Sequence, residues 1–80
     1  MSVEVRRYVA FGFGSVHDTL FAEDALRVAG VPAVSIPSPR ELGGLCGIAL
    51  RVLPEDASAA EAAFERAGAD ARARAEISDF

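Results

Sequence analysis

This chain of 80 residues contains six short segments, four with the hydrophobic pattern of strands and two with that of helices, and glycine or proline stands at or near most of their ends. Runs rich in aromatic and β-branched residues predict strands, and apolar residues that recur every three or four positions predict helices. Strands are predicted over residues 7–13, 31–37, 46–53 and 69–77, and helices over residues 16–29 and 56–67. The predicted order of elements is therefore β-α-β-β-α-β.

Residues typical of helix and strand ends support these bounds. Ser15 is a natural N-cap for the first helix, Gly30 and Gly68 end the two helices, and Pro54 stops the third strand. Phe11, Phe13 and Phe21 are predicted core residues, because their spacing follows the strand and helix periods. The predicted apolar side of the first helix comprises Phe21, Ala22, Ala25, Leu26, Val28 and Ala29.

The order of elements predicts one α+β domain over residues 1–80 with a ferredoxin-like fold. Right-handed crossovers give an antiparallel sheet ordered 4-1-3-2 with both helices on one face. The second strand is bracketed by prolines and is expected at an edge, while the more apolar third strand is expected at the centre. This topology brings the turn after Phe13 and the loop over residues 37–46 to one end of the sheet.

Composition excludes several classes of partner. The net charge is −4, and the eight basic residues are all arginines scattered along the chain, so we expect no binding to nucleic acid. No apolar run approaches the roughly 18 residues of a membrane span. The first residues lack the pattern of a signal peptide. We therefore expect a cytoplasmic protein that does not act at a membrane.

Cys46 is the only cysteine, and it lies in the segment "PSPRELGGLCGIAL". A single cysteine forms no internal disulfide, and no cluster of cysteine and histidine has the spacing of a metal site, so neither metal nor cofactor is expected. A thiol reacts as its thiolate, which needs positive potential nearby. Arg40 and the start of the first helix, with Ser15 and His17, are the candidate sources. The alternative is a small buried side chain at the start of a central strand.

Glycines around the cysteine are candidate binding residues. Gly43, Gly44 and Gly47 allow the backbone to turn its amides towards an anion and leave room for another molecule. Each polar candidate also has a simpler interpretation. Arg40 and His17 are then exposed polar residues, and Ser15 is only a helix cap.

These residues together resemble a family of small bacterial proteins named for selenium or sulfur carriage. The resemblance covers nearly the whole chain and is sharpest from Pro-x-Pro-Arg to Cys-Gly. The matching positions are Ser15, Glu23, Gly30, Val31, Pro37, Pro39, Arg40, Cys46, Gly47 and Ala49. The loop "LGGL" differs from the serine-rich loop of the family and lacks its hydroxyl groups.

The resemblance implies a carrier that holds a persulfide or perselenide on Cys46 and receives it from a donor protein for delivery to an acceptor protein. The same thiol chemistry serves sulfur and selenium. Two alternatives stay open at this point. One is a non-catalytic module that binds a small molecule or regulates by dimerisation, and the other is a structural domain that forms a homodimer through its helices or an edge strand.

Overall fold

The structure, a computed structural model, describes residues 5–43 and 47–79. The candidate residues Gly44 and Cys46 therefore lie outside the described residues. The elements are β1 (Arg6–Gly12), α1 (Val16–Ala29), β2 (Val34–Pro37), β3 (Ile48–Val52), α2 (Ala57–Ala67) and β4 (Ala73–Asp79). Two short 3₁₀ helices, η1 (Arg40–Leu42) and η2 (Pro54–Asp56), precede β3 and α2.

The four strands form one antiparallel sheet in the order β2-β3-β1-β4. This is the predicted order 4-1-3-2 read from the other edge. The second strand lies at an edge and the third strand is central, as its composition predicts. The α+β class is confirmed, whereas the ferredoxin-like assignment stays a prediction because two 3₁₀ helices interrupt the predicted order of elements.

Local capping sets the limits of α1, whose predicted bounds are confirmed. The Ser15 hydroxyl accepts a hydrogen bond from the Asp18 amide at 3.1 Å, which satisfies one of the free amides of the first turn. Gly30 ends the helix with a φ of 75°. Val31 then donates its amide to the carbonyl of Leu26 at 2.9 Å. This bond makes residue 31 part of the helix terminus, so the prediction that the second strand begins there is wrong by three residues.

Similar local bonds correct the bounds of the last two elements. Asp56 belongs to η2, and α2 begins at Ala57. After α2, the amide of Ala69 donates to the carbonyl of Phe64 at 2.8 Å, so this residue completes the helix terminus instead of opening a strand. The strand β4 begins only at Ala73, after the Arg72 amide has bonded to the end of β1.

The main core lies between the sheet and the two helices. Phe64 of α2 packs edge-on against Phe11 and Phe13, with ring centroids 5.1 and 5.4 Å apart. Such edge-to-face pairs add to the stabilisation that burial of the rings provides. Leu26 of α1 and Leu50 of β3 are buried in the same cluster. The prediction that the first two phenylalanines belong to the core is confirmed.

The prediction that Phe21 belongs to the core is wrong. Its side chain is 48% exposed and that of Val28 is 82% exposed, because the buried stripe of α1 consists instead of Thr19, Ala22 and Leu26. A threonine is tolerated in this stripe because its hydroxyl donates to the Ser15 carbonyl at 2.8 Å. The helix is therefore rotated from the orientation that hydrophobicity alone predicts.

A second apolar cluster lies on the opposite face of the sheet. It contains Tyr8 and Ala10 of β1, Ala49 of β3, Ile77 of β4 and Leu42 of η1. Neighbouring residues of β1 point to opposite faces, so this strand contributes to both clusters. The segment around η1 therefore folds back over the face of the sheet that the helices leave uncovered.

We predict that Leu42→Ala lowers the free energy of unfolding by about 2–4 kcal/mol, since the leucine is only 3% exposed. Leu20→Ala is the matched control, because Leu20 is 54% exposed and its truncation changes stability by about 0.5 kcal/mol or less. Urea denaturation measures both. Equal stability of the two variants would contradict the role of η1 in the second cluster.

Candidate functional site

Three strand ends meet at one end of the sheet. Gly12 at the end of β1 pairs with Ala49, and Pro37 at the end of β2 pairs with Ile48 at the start of β3. The turn that leads into α1 and the loop between β2 and β3 therefore leave the sheet at the same end, as the topology predicts. The sequence predicts a candidate site at this end.

Backbone hydrogen bonds hold the described residues on either side of segment 44–46. The Ser38 amide donates to the Gly47 carbonyl at 3.0 Å and closes the base of the loop. Within the loop, Leu42 donates its amide to Pro39 at 3.1 Å and Gly43 donates to Arg40 at 3.0 Å, which forms η1. The buried Leu42 side chain then fixes η1 to the sheet. The residues that flank the undescribed segment 44–46 are thus held on both sides.

The two described glycines of the site serve different purposes. Gly43 has a φ of 76°, in the left-handed region where a side chain is strained. Gly47 has no such constraint. Both are exposed, and a Cβ placed on either would meet no described atom within 4 Å. Gly43 is therefore required by the turn, while Gly47 leaves open space next to the position of Cys46 in the chain.

Arg40 begins η1 and is exposed. Over residues 5–43 and 47–79, its guanidinium makes no hydrogen bond or ion pair. The neighbouring Glu41 is also exposed. The arginine charge is therefore available to an anionic group that reaches this loop, although one carboxylate lies beside it in the chain.

Ser15 and His17 lie at the start of α1 and are both exposed. Ser15 caps the helix, as predicted, and its further role as a binding residue stays a prediction. α1 packs into the main core, whereas η1 packs against the opposite face of the sheet. The structure thus brings the strand ends together but packs the two candidate segments on opposite faces. A site shared by His17 and Arg40 stays a prediction.

The segment before Cys46 is predicted as a loop, and its anchor Leu42 is not among the predicted core residues. Its signal in the sequence is a leucine between a glutamate and a glycine, and one leucine in a loop is weak evidence of burial.

An arginine on the face of the sheet that carries the second cluster is also not predicted from the sequence. Arg51, 17% exposed, places its guanidinium carbon 3.9 Å from the centre of the Tyr8 ring, with Nε 3.5 Å from an Asp79 carboxylate oxygen. A single charge in the apolar run "CGIALRVL" is the signal for it.

The described residues offer neither a metal site nor a membrane-spanning helix. Among them, no group of three or more histidine, cysteine, aspartate or glutamate side chains is arranged to hold a metal ion. None of the helices in this part of the chain combines the length and the apolar character needed to cross a membrane.

Comparison with known proteins identifies the family. The model of the family described as "Putative Se/S carrier protein-like" matches residues 8–74. The chain belongs to this family. The match runs from β1 into β4 and includes the loop with Arg40 and Cys46, so the family resemblance noted from the sequence is confirmed. No curated protein and no solved structure matches the chain significantly.

A pair of glycine variants tests the geometry of this loop. We predict that Gly43→Ala lowers the free energy of unfolding by about 1–2 kcal/mol, because alanine is strained at a φ of 76°. Gly47→Ala should leave stability unchanged or raise it by about 0.4–1 kcal/mol, since alanine fits there and restricts the unfolded chain. Thermal unfolding of both variants measures the difference. A reversed order of stability would contradict the described conformation of the loop.

Proposed function

We propose that this protein carries sulfur or selenium as a persulfide or perselenide on Cys46. The observation that carries the proposal is the family match over residues 8–74, which includes the only cysteine of the chain. The family description names selenium and sulfur as cargo, and a thiol is the side chain that binds either element reversibly. The partners in this proposal are a donor protein and an acceptor protein.

The transfer needs no external oxidant. The Cys46 thiolate attacks the terminal sulfur or selenium of a persulfide or perselenide on the donor. The bond between that atom and the donor cysteine breaks, and the donor leaves as a thiolate. Cys46 now holds the transferred atom through a new bond to its own sulfur. A thiolate of the acceptor attacks the same terminal atom, and Cys46 returns to its starting state.

The surroundings of the loop support this use of the cysteine. Gly43 and Gly47, on either side of segment 44–46, are exposed and carry no side chain, so a second protein can come close to the backbone at both positions. The bond between Ser38 and Gly47 and the buried Leu42 hold the residues on either side of segment 44–46 in place. Arg40 supplies a positive charge without a partner in the described part of the chain, and a nearby cation favours a thiolate over a thiol.

The proposal extends to the fold of the domain and to the location of the protein in the cell. We propose a ferredoxin-like fold, because the sheet order β2-β3-β1-β4 with both helices on one face is the pattern of the split βαβ arrangement. We also propose a cytoplasmic location, since a reducing compartment keeps a lone carrier thiol available for exchange.

The direct test is the intact mass of the protein after incubation with a low-molecular-weight persulfide. We expect one added sulfur atom on the wild type, removed again by a thiol reductant, because only one cysteine is present. Cys46→Ser should gain none. An unchanged mass of the wild type, or an equal gain on Cys46→Ser, would exclude the proposed carrier role.

A second test concerns Arg40. At pH 6 a free thiol, whose pKa is about 8.5, is mostly protonated and is alkylated slowly. If Arg40 stabilises the thiolate, the folded protein reacts faster with iodoacetamide than a short cysteine peptide does. Arg40→Gln should then slow the reaction several-fold, because the stabilising charge is lost.

Arg66→Gln provides the matched control, since it removes the same charge from an exposed position on α2 and should not change the rate. Equal rates for the wild type and Arg40→Gln would show that Arg40 does not assist the thiol. That outcome leaves the mass test of Cys46 to decide the carrier role separately.

A further inference from the structure

We propose that β4 forms an antiparallel pair with β4 of a second copy, so that two sheets join into one sheet of eight strands. The strand is seven residues long and pairs with β1 along one side only, with its other side open in the described part of the chain. An open edge of this length presents unpaired backbone amides and carbonyls to any complementary strand.

The sequence of β4 is complementary to itself. A two-fold axis between two antiparallel strands passes beside one residue, which then faces its own copy. When that residue is Ala75, Arg74 faces Glu76 of the second copy, and this happens twice by symmetry. Opposite charges that face each other across two strands stabilise the pairing, and like charges weaken it. The charges of β4 therefore favour a two-fold axis beside Ala75.

Other symmetric registers lack this complementarity. Centring on Arg74 or on Glu76 places two like charges directly opposite each other. Centring on Ile77 places Glu76 against Ser78 and forms no pair of opposite charges within the strand. Charge thus selects one register among those that give a substantial overlap of β4 with itself.

On each face of the joined sheet, the side chains that meet in the proposed register are compatible. The register of β4 with β1 places Arg74 beside Phe11 and Glu76 beside Val9, on the face covered by the helices. The apolar residues Ala73, Ala75 and Ile77 occupy the other face, with Ile77 in the second cluster. In the proposed register, Ala73 faces Ile77 of the second copy, so apolar side chains meet on that face.

The ion pairs within one chain leave Glu76 available to Arg74 of a second copy. Arg74 pairs with Glu61 of α2, and both side chains are about half exposed. Glu76 is exposed and has no hydrogen bond or ion pair among residues 5–43 and 47–79. A guanidinium has enough donors for two carboxylates. Arg74 can therefore bind Glu61 of its own chain and Glu76 of the second copy together.

The other edge of the sheet is less suited to pairing. β2 has only four residues and ends in Pro37, which has no amide hydrogen to donate. A homodimer through the proline-bounded strand is one of the alternatives that the sequence leaves open. The structure instead favours the longer edge without proline.

Charge reversal tests the proposed pair by sedimentation equilibrium. We expect the wild type to show a dimer that depends on concentration. Arg74→Glu and Glu76→Arg should each raise the dissociation constant of their own dimer about tenfold or more, because both attractive pairs become repulsive. An equimolar mixture of the two variants should associate as tightly as the wild type, since each chain now offers the charge that the other needs.

Arg66→Glu is the control, because it reverses an exposed charge on α2 away from β4 and should not affect association. Circular dichroism checks that all variants are folded. A wild type that sediments only as a monomer throughout the concentration range would overturn the proposal. A dimer whose stability the β4 variants do not change, or a mixture that associates no better than either variant alone, would overturn it as well.

Chemical cross-linking provides a measurement that does not depend on charge variants. In a Cys46→Ser background, Ala75→Cys places one cysteine beside its own copy at the proposed two-fold axis, and a short bismaleimide should join the chains. Ala59→Cys, at an exposed position of α2, should give no covalent dimer. Absence of a cross-link at position 75, or equal cross-linking at both positions, would contradict the pairing of β4 with itself.

Discussion

The structure depends on the central position of β1, which forms hydrogen bonds with β3 on one side and with β4 on the other. Its side chains alternate between the two faces of the sheet. Val9 and Phe11 enter the core beneath the helices, whereas Tyr8 and Ala10 enter the cluster on the opposite face. A shift of this strand by one residue would exchange the two sets and expose the aromatic core, so the register is strongly determined.

The burial of β1 on both faces explains why η1, which precedes β3, packs against the sheet. A domain of this size has few residues with which to cover a sheet, and both helices lie on one face. The apolar face that remains is covered in part by Leu42, which η1 carries back over the sheet. The described part of this loop that carries Leu42 is thus also part of the folded core, and its conformation is coupled to the stability of the domain.

Much of this fold follows from local signals in the sequence. Ser15 and Gly30 mark the ends of α1 because their side chain and backbone satisfy the terminal groups of a helix, an effect that acts within a few residues. The order of strands follows from the order of elements and the preference for right-handed crossovers. The exposure of Phe21 does not follow, because the rotation of α1 depends on which side chains fit between the helices and the sheet. Thr19 can be buried because its hydroxyl is hydrogen-bonded, whereas hydrophobicity alone predicts that Phe21 is the buried residue.

The candidate site is predictable to a smaller extent. Strand order alone brings the start of α1 and the loop after β2 to one end of the sheet, and the observed register confirms this proximity of strand ends. The packing of η1 on the far face is not predictable, since it depends on a single leucine and on long-range contact with β1 and β4. Single-residue candidates such as Arg40 can be named from the sequence. Which of them share a surface depends on the side of the sheet that each connecting segment covers.

The anchored loop also bears on how a carrier can serve two partners. A cysteine on a freely moving tail could adapt to a donor and to an acceptor, but each encounter would require the tail to become ordered, with a loss of conformational entropy. Here the residues on either side of segment 44–46 are held by a backbone bond at Gly47 and by the buried side chain of Leu42. In the proposed function, these flanking residues need no ordering when a partner binds. Donor and acceptor in this proposal approach the same end of the sheet. The base of the loop, on β2 and β3, is separated by β1 from the edge where β4 is open.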